Sequence, residues 1–65
     1  MTLEEVLANL DRTIEAKEKY LAKTQEEFKV ANKDVRFALY ATIEFVKVNL
    51  EELRNIRADL ESCVP

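Results

Sequence analysis

Glycine does not occur in this chain, and its single proline is the last residue, Pro65. Sheets and tight turns ordinarily place these two residues at their bends, Gly to reach positive φ and Pro to pre-set negative φ. A chain without them is restricted to long elements with few reversals. Its abundant Ala, Leu, Glu, Lys and Arg are good helix formers, so the fold class read from the sequence is all-α. Hydrophobic residues make up 48% and charged residues 35%, too apolar a balance for a disordered tail.

At 65 residues the chain is one domain at most. A domain of this size buries only about 60% of the surface its unfolded chain exposes, and usually needs a staple or a second copy. Cys63 is the only cysteine and there is no histidine, so neither an intrachain disulfide nor a zinc site is expected, and no cofactor is expected either. Self-association is left as the source of additional core.

The helical pattern begins at Thr2-Leu3-Glu4-Glu5, a capping-box spacing in which Thr2 accepts from the backbone N–H near Glu5 and Glu5 reaches back to Thr2. Glu4 and Glu5 also complement the positive end of the helix dipole. Apolar residues recur at Leu3, Leu7, Leu10, Ile14, Leu21 and Phe28, with Ala31 and Val35 beyond and with Lys17 and Thr24 at two positions of the same seam. Val6, Thr13 and Tyr20 widen the stripe on one flank, as in a globular bundle. Glu15 and Lys19 form an i,i+4 pair. Thr24-Gln25-Glu26-Glu27 repeats the capping-box spacing, but a break there would interrupt the Leu21–Phe28 stripe.

A second stripe starts at Leu39 and runs through Ile43, Val46, Leu50 and Leu53 to Leu60 and Val64, with Arg57 between. The first seam, carried past Val35, would run through Ala38, Thr42, Phe45, Asn49, Glu52 and Ile56 and decay into polar residues. The register therefore changes between residues 32 and 39. A turn at Asn32-Lys33-Asp34 accounts for this, with Asn ending one helix in the left-handed conformation and Asp capping the next. One continuous helix with a stutter accounts for it too. The reading preferred is a hairpin: helix 3–31, turn 32–34, helix 35–62.

The second helix is more apolar than a hairpin requires. From Phe37 to Leu50 only Glu44 and Lys47 are charged. Phe37, Tyr40, Ala41, Phe45 and Val48 lie off the Leu39–Ile43–Val46–Leu50–Leu53 stripe, and a helix apolar on several sides should be covered on several sides. These five are the candidate interface residues, between copies of the chain or against a foreign protein. Arg54 and Arg57 are candidate polar anchors for a partner carboxylate, although ordinary pairing, Arg57 with Glu61 for example, is the preferred reading.

No catalytic constellation is present. Cys63 and Ser62 have no base to activate them, and the neighbouring carboxylates Glu4/Glu5, Glu26/Glu27 and Glu51/Glu52 point about 100° apart on a helix and share no site. A formal net charge of −3, with basic and acidic residues interspersed, argues against nucleic acid. The apolar run is too short for a membrane span. Glu4 and Glu5 stand where a signal peptide would be basic, and a lone cysteine fits a reducing, cytoplasmic setting.

The opening residues Met1-Thr2-Leu3-Glu4-Glu5-Val6-Leu7-Ala8-Asn9-Leu10-Asp11-Arg12, and the overall form, resemble the short helical accessory proteins of lambdoid phages, encoded in the early region between recombination and excision genes. The resemblance implies a protein that modulates host physiology or the lysis–lysogeny choice by contacting host proteins. It transfers no functional residues. The residues themselves point to an antiparallel helical hairpin that self-associates into a four-helix or larger bundle and acts as a non-enzymatic interaction module. The alternative is a heteromeric adaptor or inhibitor that lays the second helix on a foreign protein.

Overall fold

Thr2 starts the first helix as its residue type dictates. In the computed structural model, which describes residues 1–63, its Oγ1 accepts the Glu5 N–H at 3.1 Å. The return half of the box differs from expectation: the Glu5 carboxylate accepts the Thr2 hydroxyl, at 3.3 Å, rather than a backbone N–H. From this cap α1 runs Leu3–Val30 without interruption, straight through the second capping-box sequence. Thr24 lies buried within it, and its hydroxyl donates to the Tyr20 carbonyl at 2.8 Å, so the polar seam position is satisfied by its own helix.

The second helix, α2, covers Lys33–Glu61 and packs along α1 as a hairpin. The break corrects the expected turn in two respects. It comes earlier, at Ala31 and Asn32, so that Lys33 and Asp34 already belong to the first turn of α2. Asn32 is the cap of α2 and not the left-handed end of α1: its Oδ1 accepts the Val35 N–H at 3.0 Å, and no residue described has positive φ. Asn and Asp cap helices about equally well. With Asn32 taking that role, Asp34 is left in the first turn, where its charge complements the helix dipole. Helix α2 ends one residue earlier than expected, with Ser62 as its C-cap, and Val64, read as the last member of its stripe, lies outside the described residues.

The core is the meeting of the two stripes. Ile14, Ile43, Val46 and Leu50 are buried, Leu50 almost completely at 1% exposure. Leu21 and Leu53 pack against the cluster of Ile14, Val46 and Leu50. The result is a rod 50 Å long and 15 Å across in both other directions. Neither helix is long and apolar enough to cross a membrane.

Candidate interaction surface

At 100° per residue, the Leu39–Ile43–Val46–Leu50–Leu53 line turns one face of α2 to α1 and leaves the others outward. Phe37, Tyr40, Phe45 and Val48 are 81%, 57%, 72% and 55% exposed, and Ala41 is exposed with them. Phe37 and Tyr40 join Phe28 of α1 around a shallow cleft at the turn end, which Lys33 and Arg36 complete. The Arg36 guanidinium lies 4.7 Å from the Phe28 ring centroid, a cation–π distance. Phe45 and Val48 do not line this cleft.

The two candidate anchors are engaged within the chain. Arg54 Nη2 donates to Glu18 Oε2 at 3.0 Å. Arg57 forms a two-pronged contact with Asp11, through Nε and Nη2, the second at 3.3 Å to Oδ2, and donates to Glu61 through Nη1. The Glu61 pairing is the one that sequence spacing suggests. Asp11 and Glu18 become visible as partners only after the chain is folded back, because they lie 46 and 36 residues away. The hydrogen bond from Arg57, helped by its charge, holds the Asp11 carboxyl below the usual carboxylate range, while Asp11 and Glu61 raise the Arg57 guanidinium further still. The expected Glu15–Lys19 pair is present at 3.2 Å, on the exposed face.

Further exposed or enclosed residues lie outside the five candidates; the sequence marks Tyr20 and Val35 among them only as members of the first stripe. Val35 and Ile56 are roughly half exposed, as is Tyr20. Asn49 carries an enclosed Oδ1 with no donor. The signal that could have found Asn49 and Ile56 is the decayed continuation of the first seam, in which both stand. Cys63 is exposed. The arrangement offers contact area, fixed rings and paired charges.

No family model, curated protein or solved structure matches the chain.

Proposed function

We propose that this chain is a non-enzymatic helical interaction module that self-associates into a four-helix or larger bundle, with the outward apolar residues of α2 as the contact. The observation that carries the reading is its surface. A folded monomer of 7.6 kDa is expected to expose about 4,300 Å²; this chain exposes 5079 Å². The difference, roughly 800 Å², is what one partner contributes to a standard protein–protein interface. The cause is the shape: two rods side by side enclose one seam, and a second pair laid against them encloses the rest.

Sedimentation equilibrium tests it. The native chain is expected to be oligomeric, and Phe45→Ala with Val48→Ala to dissociate it, since each buried side chain of this kind contributes roughly 1.5–3 kcal/mol. A native chain that stays monomeric and well folded excludes self-association. A double variant that keeps its oligomeric mass and melting point but no longer binds a foreign protein supports the heteromeric alternative.

A further inference from the structure

The two long edges of the hairpin, where α1 and α2 meet on either side of the core, are chemically different. One edge carries the cross-helix ion pair Glu18–Arg54, with Asp11 and its partner Arg57 beside it. The helical step of 100° places Thr13 and Tyr20 on the opposite flank of α1 from Asp11 and Glu18, and Phe45 and Ile56 on the opposite flank of α2 from Arg54. The second edge holds the apolar side chains Tyr20, Phe45 and Ile56, all about half exposed or more, with Lys17 and Glu52 as its charged members and no cross-helix ion pair among the described residues.

The rod is also unequal end to end. Its turn half, residues 17–47, holds seven Lys and Arg against five Asp and Glu. Its terminal half, the remaining residues, holds three against eight. The side-chain charges are thus +2 at one end and −5 at the other. Two such rods laid the same way round set −5 beside −5. Laid in opposite directions, each positive half faces a negative one. Complementary potentials of this kind select orientation and register even where they add little affinity, and a Debye length of about 10 Å lets them act across a contact between rods of this thickness.

We infer that the partner is a second copy of this chain lying antiparallel, its turn end over the terminal end of the first, packed on the Tyr20–Phe45–Ile56 edge. This rests on the self-association proposed above and adds the edge and the orientation. A two-fold axis across the middle of the rod then brings each Tyr20 and Phe45 near its counterpart, and the two turns stand at opposite ends of a four-helix bundle.

The single cysteine supplies the test. Cys63 is exposed at the terminal end, so a spin label there marks that end of each chain in the native protein. Sedimentation fixes the assembly first; pulsed dipolar spectroscopy then reads the label-to-label distance. The expected result is a dimer whose Cys63 labels are separated by nearly the 50 Å length of the rod. A dimer with labels within about 20 Å, two interaxial spacings, overturns the antiparallel orientation and leaves self-association standing. A monomer overturns both. Ile56→Lys, at a half-exposed position, tests the edge: with helix content by circular dichroism unchanged, its dimer dissociation constant is expected to rise about tenfold or more. A dissociation constant equal to that of the native chain overturns the edge assignment.

Discussion

Asn49 stands where the sequence carries a polar residue beside the α2 stripe, and its Oδ1 is enclosed without a donor. An unsatisfied buried acceptor costs about 1–3 kcal/mol relative to one that is paired or removed. Asn49→Leu is therefore expected to raise the melting temperature, measured by circular dichroism. A lower melting temperature would show that the amide makes contacts whose loss outweighs that cost. Asp11 makes a second prediction at this scale. Its folded-state carboxyl lies below the usual range because Arg57 binds its ionised form. A depressed carboxylate contributes stability that is present above the unfolded value, about 3.9, and is lost as pH falls through the folded one. The stability difference between the native chain and Asp11→Asn is thus expected at neutral pH and to shrink to nothing in acid. A difference that persists undiminished at pH 2 would assign the effect of Asp11 to packing.

The elements follow from their caps and stripes. Asn32 holds the start of α2 through one hydrogen bond to the Val35 N–H, and Asn32→Ala is expected to cost about 1 kcal/mol in urea denaturation. Asn32→Gly is expected to cost only a few tenths, because an uncovered backbone N–H at that position can still reach water. The helices, their stripes and the Thr2 cap are legible in the sequence, since each is written in local spacing. The position of the reversal was legible only to within two residues, because Asn32 and Asp34 are equally good caps and nothing local ranks them. Arg57 shows the other limit: its i,i+4 partner Glu61 is visible in the sequence, whereas Asp11 is visible only once the turn sets which residues of α1 and α2 stand opposite. The same holds for the interface candidates. Phe37 and Phe45 read as one surplus in the sequence, yet in the folded chain Phe37 lines the turn-end cleft with Phe28, while Phe45 stands on the edge it shares with Tyr20 and Ile56.

At the scale of the molecule, a thin core and a large surface mean that the proposed self-association would couple folding to assembly. If the chain associates as proposed, its melting temperature rises with protein concentration; a melting temperature constant across a hundredfold range of concentration would mark the hairpin as stable alone. The link between the helices then acquires a meaning beyond connection. Only Ala31 and Asn32 separate two helices of almost equal length, both in extended backbone and neither in a conformation that other residues resist. If that hinge straightens, α1 and α2 become one continuous rod, and every contact that α2 made with its own α1 is available from the α1 of another straightened chain. Such an exchange preserves the core and alters only which chain supplies it. Replacing the cap weakens an interaction that favours the bend, so Asn32→Ala is expected to yield, on size exclusion at high concentration, a second and slowly interconverting species of greater length. The hairpin and the long helix are in this sense two arrangements of one set of contacts, separated by a hydrogen bond and a pair of backbone dihedrals.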